Sequence, residues 1–226
     1  MVVTAEELVK QNNEKRKQLS KDNLKYYEDM LVYIRLSYDK SEQETEEVLT
    51  ELLDHLLEAQ EKGKSAKDVF GEHPNEFLND LIGELPKMVT KKRVMLVVSS
   101  IFYFLGTYLT ISIINLVLFY GFGRGNSVKE IAVGSTIVQT IISILIAFLL
   151  LYTAIQILRW MCFKNFSNIK EFLLLWVYTM ISIGIFLLLI FLVPDFGATI
   201  TIPTYLQTIT GILLLIAGYI VGNKMK

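Results

Sequence analysis

The chain has 226 residues, 52% of them hydrophobic, with four prolines, one cysteine and a formal net charge of −1. A single cysteine excludes an intramolecular disulfide framework and a cysteine-based zinc cluster. The charge is unevenly spread, because residues 1–93 hold 15 Lys+Arg against 20 Asp+Glu while residues 94–226 hold 7 against 3. Two parts that face different solvents are therefore expected, a polar part over about 1–90 and an apolar part over 91–226, joined near Lys91-Lys92-Arg93.

The first part has a net charge of −5, which argues against direct contact with nucleic acid, since phosphate binding needs a basic face. A small basic protein surface complements it better. Its N-terminus, Met-Val-Val-Thr-Ala-Glu-Glu, lacks a basic stretch followed by an apolar run, so no cleavable signal is expected and the head is placed in the cytosol. Thr4 with Glu7 and Ser41 with Glu44 have capping-box spacing, and Ser65 with Asp68 is a shorter-acid variant. Gly63 suits a helix C-terminus and Pro74 a first helical turn. The implied helices cover about 5–18, 22–37, 42–62, 66–70 and 75–85.

Leu24, Tyr27, Leu31 and Ile34 form one apolar stripe, and Leu49, Leu52, Leu53, Leu56 and Leu57 form a second. Phe70, Phe77, Leu78, Leu81 and Ile82 supply a third surface, so the helices can bury their stripes against one another without lipid. The opposite faces carry Glu42, Glu46, Glu47, Glu51, Glu58 and Glu61. They read as solvated surface or, at Glu46, Glu47 and Glu51 on the third helix, as a binding face for a basic protein partner. His55 and His73 are too few and too far apart for a metal site, even with Asp54 adjacent. No nucleophile elbow, phosphate loop or paired-histidine motif is present, so no catalytic residue, cofactor site or metal site is assigned and the chain reads as a non-enzyme.

Four stretches have the roughly 20 apolar residues that a membrane-spanning helix requires. They run from about Val94 to Tyr120, Ile131 to Leu158, Leu173 to Val193 and Tyr205 to Val221, and none contains an acidic, basic or histidine residue. Lys87, Lys91, Lys92, Arg93, Arg159, Lys164, Lys170, Lys224 and Lys226 flank one side of these spans. Arg124 and Lys129 are the basic residues of the other, whose second loop carries only Asp195. The bias predicts both termini on the cytoplasmic side of a cell membrane. Trp160 and Trp176 then fall at the inner interface and Tyr120 and Tyr205 at the outer one. The fold class is thus all-α: a cytosolic head of about three main helices and a short one, followed by a four-helix transmembrane bundle.

The loop Gly121-Phe-Gly-Arg-Gly-Asn-Ser resembles a nucleotide fingerprint only in its glycines, because no strand is expected before it. In the second span, Thr136, Gln139, Thr140 and Ser143 recur at i, i+3, i+4 and i+7 and so share one helical face that should point inward. That face reads as interhelical hydrogen bonding or as the lining of a solute path, the absence of an ionisable residue favouring the former. Gly218 and Gly222 form a Gly-x-x-x-Gly pair that lets another helix approach closely, within the chain or from a second copy in a homo-oligomer. Cys162 is expected to pack or to point into lipid.

The stretch from Leu52 to Leu78, with Gly63-Lys64-Ser65-Ala66 and Phe70-Gly71-x-x-Pro74, resembles the uncharacterised Gram-positive membrane family called domain of unknown function 1129. The head of that family is related to the HAAS-type helical signalling domain. The resemblance covers about residues 20–86 in pattern and the remainder as a four-span architecture. It implies a bacterial membrane protein with no catalytic residues. It also implies a PadR-type transcription repressor as a cytosolic partner, alongside membrane lipid. A signalling or regulatory adaptor is the function these features favour, with a small transporter or channel component as the alternative.

The orientation is open to a direct test by cysteine labelling in intact cells. Cysteines introduced near Asn126 and Ala198 should be modified by an impermeant reagent, and those near Gly63 and Asn165 should be spared. Outside labelling at Gly63 would reverse the topology.

Overall fold

The computed structural model describes residues 3–37, 40–71, 74–123, 127–164 and 166–224. His73, Arg124, Asn126, Asn165 and Lys226 lie outside the described residues. The chain divides into two compact units, one formed by residues 1–89 with 153–171 and the other by 90–152 with 172–226.

The first unit is built on α1 (Ala5–Lys15), α2 (Lys21–Arg35), α3 (Glu42–Glu61), α4 (Ala66–Phe70) and α5 (Pro74–Glu84), with a 3-10 turn at Arg16–Gln18 after α1. Local signals set the ends. The Glu7 N–H donates to Thr4 Oγ1 at 3.4 Å while the Thr4 N–H donates to Glu7 Oε2 at 3.1 Å. Ser65 and Asp68 close the same reciprocal box before α4, so each pair satisfies two amides that helix geometry leaves without partners. Ser41 departs from the expected pattern: its hydroxyl donates to the Glu44 carboxylate and makes no cap to the helix backbone. After α3, Gly63 has φ +74. Its N–H donates to Gln60 O and the Lys64 N–H to Ala59 O, both at 2.9 Å. This paired closure needs a left-handed residue, which glycine adopts without steric cost.

Tyr27, Met30 and Ile34 of α2, Leu49, Leu53 and Leu56 of α3 and Leu78 of α5 are fully buried. The stripes therefore do face one another, with one correction: Phe77, read as part of the third surface, is 37% exposed, although its ring lies 5.7 Å from that of Phe70. The core also takes in Cys162, with Phe163 packed against it. Cys162 thus belongs to the head core and does not point into lipid.

The second unit holds most of the apolar sequence. Its elements are α6 (Thr90–Thr110), α7 (Ile113–Phe122), β1 (Val128–Ala132), α8 (Val133–Met161), α9 (Asn168–Leu192), β2 (Thr199–Pro203) and α10 (Thr204–Asn223); α8 ends and α9 begins within residues 153–171 of the first unit. Four helices are long and apolar enough to cross a membrane: Lys91–Thr110, Val133–Met161, Asn168–Leu192 and Thr204–Asn223. The chain is therefore a helical membrane protein.

Several boundaries differ from the hydropathy reading, the third span beginning at Asn168 where Leu173 is expected and the second ending at Met161 where Leu158 is expected. The first span was expected to continue to Tyr120, but the helix breaks after Thr110 and restarts at Ile113. Thr110 Oγ1 donates to Gly106 O at 2.6 Å and Ser112 Oγ to Leu109 O at 2.7 Å, and such back-bonding competes with the helix ladder and bends it. The second span starts at Val133 rather than Ile131, because Val128–Ala132 pairs antiparallel with Thr199–Pro203, in register Val128↔Pro203 through Ala132↔Thr199.

α6 and α10 approach to backbone contact. A Cβ added at Gly211 would lie 2.6 Å from Thr110 Oγ1, and one at Gly106 would lie 2.9 Å from Leu215 Cδ2. At Gly218 it would meet Phe102 Cβ at 3.3 Å, whereas at Gly222 the first atom is Tyr103 Oη at 3.9 Å. Gly218 is therefore a helix contact within the chain, Gly222 stands at its margin, and Gly106 and Gly211 carry the closest approach.

Leu53→Ala should destabilise the head by about 2–5 kcal/mol, the range for truncating a fully buried leucine, whereas Phe77→Ala should cost much less. Chemical denaturation of the full-length chain followed by proteolysis of the head would measure both, and equal costs would contradict the assigned core.

Candidate functional site

The membrane unit contains a cavity of about 490 Å³ lined by α6, α8 and α9. Its walls include Phe104, Phe186 and Leu189, and the side chains with polar groups along it are Tyr103, Thr107, Tyr108, Gln139, Thr140 and Ser143. A second cavity of about 760 Å³ shares Tyr108, Ile111, Gln139 and Ile190 with the first and adds Lys129, Glu130, Thr136, Asp195, Thr204 and Gln207. The four residues of the polar face are thus all cavity-lining. Thr136 lies on the larger cavity, Thr140 and Ser143 on the smaller, and Gln139 on both. Gln139 Nε2 donates to Val193 O at 3.4 Å.

Helix spacing explains why the face is continuous, since residues three and four apart share a side. The same spacing recurs in α10, where Thr204, Gln207, Thr208 and Gly211 are all buried. Thr136-Ile-Val-Gln-Thr and Thr204-Tyr-Leu-Gln-Thr are one pattern, Thr-x-x-Gln-Thr, occurring early in both helices. Sequence reasoning used the first copy and missed the second, although the repeat was available in the residues. It also treated Lys129 and Asp195 only as loop charges. Their place on a cavity wall depends on the β1–β2 pairing and on the segment Pro194–Gly197, where Ser135 Oγ donates to Asp195 Oδ1 at 3.2 Å and the Ser135 N–H to Phe196 O at 3.2 Å.

In the head unit, the three glutamates expected to share a partner surface are not all on the surface. Glu46 is 4% exposed and receives both ends of a bidentate pair, Arg35 Nε to Oε1 and Nη2 to Oε2, each at 2.7 Å. A buried carboxylate needs such a partner, because removing its water is otherwise costly. Glu46 is therefore corrected to a structural residue, while Glu47 and Glu51 are exposed.

A second polar cluster of the head gathers around residues 159–163. The Arg159 guanidinium lies 4.3 Å over the Tyr33 ring. Arg159 Nη2 and Tyr33 Oη both donate to Asn79 Oδ1, at 3.2 and 2.9 Å. Phe163 packs against Tyr26 and Tyr33 with centroids 5.4 and 6.2 Å away. It is the one non-glycine residue with positive φ among the described residues, at +63, a strain of roughly 1–3 kcal/mol that its packing must offset. Asp29 accepts the Phe163 N–H, yet burial raises its carboxyl above the ordinary range. Burial likewise pushes the Cys162 thiol up to about 11, with the nearby Asp29 adding to the shift.

A family model described as "Protein of unknown function (DUF1129)" matches residues 18–226. No curated protein and no solved structure matches the chain.

Because thiolate is the reactive form, a thiol with a raised pKa stays protonated at pH 8. Cys162 should resist iodoacetamide at that pH in the folded protein and react on denaturation. Rapid native labelling would contradict its burial in the head core.

Proposed function

The chain belongs to the DUF1129 family of proteins of unknown function, and on that premise we propose that it is a membrane-anchored regulatory adaptor, non-enzymatic, in which the cavity receives a signal and the head presents it to a cytosolic protein. The observation that carries this reading is the course of α8. One uninterrupted helix supplies Gln139, Thr140 and Ser143 to the cavity wall and Arg159 to the head, and Cys162 and Phe163 follow directly in the head core. A rotation of this helix driven by cavity occupancy would reach the head through its own backbone, which is what a two-state element biased by a ligand requires. In this reading the protein sits in the cell membrane with both termini in the cytosol. A PadR-type repressor is the partner class that the family resemblance brings, and the exposed Glu47 and Glu51 suit a basic surface on it.

The alternative, a solute path, draws support from the same polar lining. Against it stands a third cavity, of about 150 Å³, which shares Phe104 with the first and is lined by Ser100 and otherwise apolar side chains. Polar character falls away at Phe104, whose ring lies 6.3 Å from that of Phe186, so an ion would meet an apolar barrier there.

The test uses the full-length chain cross-linked in native membranes. The wild type should capture a cytosolic repressor, and Glu47→Lys with Glu51→Lys should weaken capture several-fold, an effect that added salt reproduces. Phe163→Ala should uncouple capture from cavity occupancy. Unchanged capture in the charge-reversed variant, together with solute flux that Gln139→Leu and Thr140→Val abolish, would replace the adaptor with the transporter.

A further inference from the structure

We propose that the two contiguous cavities of the membrane unit form one site for a single amphiphile, its hydrocarbon body in the 490 Å³ space and an ammonium-bearing headgroup in the 760 Å³ space. This assignment rests on reading the cavity as the input site and names the chemical class that fills it.

Polarity rises from the inner space to the outer one. The inner walls are rings and aliphatic groups relieved only by hydroxyls and one amide, so a charged group would be stripped of water there without compensation. Charge enters only in the outer cavity, as Lys129, Glu130 and Asp195. The two spaces adjoin, sharing Tyr108, Ile111, Gln139 and Ile190 in their linings, and each falls in the size range of small-molecule sites, about 300–1,000 Å³. A molecule with one apolar and one charged end matches both spaces at once.

The outer space also holds hydrogen-bonding capacity that the protein leaves unused. Gln207 is only 7% exposed and lines the outer cavity, and among the described residues its side chain makes no hydrogen bond. Its amide is left open to that cavity, where a ligand can take up its donors and acceptor. Gln139, its counterpart in the repeated Thr-x-x-Gln-Thr pattern, uses its Nε2 on Val193 O and keeps its carbonyl oxygen uncommitted among the described residues.

The sign of the headgroup follows from the acceptors. Two carboxylates and two amide carbonyls line the outer cavity against a single ammonium, and neither Glu130 nor Asp195 has an ion-pair partner among the described residues. An alkylammonium carries three donors and no acceptor, which complements that set. Lys129 suits a phosphate wherever the headgroup brings one. The shared chemistry therefore fits a zwitterionic ethanolamine lipid and a free alkylamine.

Full-length protein in neutral maltoside micelles is offered lysophosphatidylethanolamine, dodecylamine and dodecyl sulfate in turn, and native mass spectrometry counts the probes retained. At least one ammonium probe should be retained about tenfold more than the sulfate, and Glu130→Gln with Asp195→Asn should remove that preference. Retention of the lipid alone, weakened by Lys129→Gln, identifies a lipid source, and retention of the amine alone a free amphiphile. Ser143→Phe, which fills the inner space, should abolish retention; if it melts early, Gln207→Leu decides, with an expected several-fold loss. Equal retention of the sulfate, a preference that survives loss of both carboxylates, or full retention in the filled or Gln207 variant overturns the site. Probe retention without partner capture would reject the adaptor reading and leave this site standing.

Discussion

The membrane unit depends on the backbone contact between α6 and α10. Lipid offers helices no hydrophobic reason to associate, so their packing relies on small residues that let main chains meet, and Gly106, Gly211 and Gly218 provide that surface. The contact commits one face of α6. Phe104, Thr107 and Tyr108 fall away from that face at helical spacing, and with Ile111 just beyond the helix end they line the 490 Å³ cavity. A side chain at Gly211 would collide with Thr110 and with the Gly106 carbonyl, moving the helix that forms one wall. Close packing on one side and open space on the other are two results of a single choice of residue size.

Polar satisfaction governs the rims of this unit. The strands β1 and β2 pair their amides and carbonyls with each other, and the Ser112 and Thr208 hydroxyls meet at 2.9 Å beside the break between α6 and α7. Irregular backbone among apolar helices requires such partners. The head solves the same problem with side chains. Gln60 accepts the Ser20 N–H at 2.7 Å and Asn23 Nδ2 at 3.1 Å, Asn23 Oδ1 accepts the Ala66 N–H at 2.8 Å, and Tyr27 Oη donates to Leu49 O at 2.9 Å. These bonds fix which helix ends meet, where apolar stripes alone would tolerate a shift.

The parts legible in the sequence are the local ones. Helix caps at Thr4 and Ser65, the left-handed stop at Gly63 and the leucine stripe of α3 depend on neighbours a few residues away, and they stand where the pattern places them. The inward polar face of α8 was equally readable, because lipid-facing polar groups are costly. What escaped depends on distant partners. Glu46 resembles its neighbours until Arg35 pairs with it, and Val128–Ala132 reads as a loop until Thr199–Pro203 lies beside it. Gln207 is a different case, since its signal was present in the repeated pattern and only the comparison between helices was lacking. Phe163 gives no periodic signal at all, standing in a turn between two apolar stretches.

That turn has a consequence for the order of synthesis. The head unit is assembled from residues 1–89 and 153–171, so its core lacks Cys162 and Phe163 while only the N-terminal part has left the ribosome. At about 5–20 residues per second, the missing piece follows on the order of ten seconds later. By then the first two spans, Lys91–Thr110 and Val133–Met161, have been made. A nascent chain therefore carries an incomplete head with Tyr26 and Tyr33 uncovered during insertion, and the last step of folding in water reports that the first pair of spans has been synthesised.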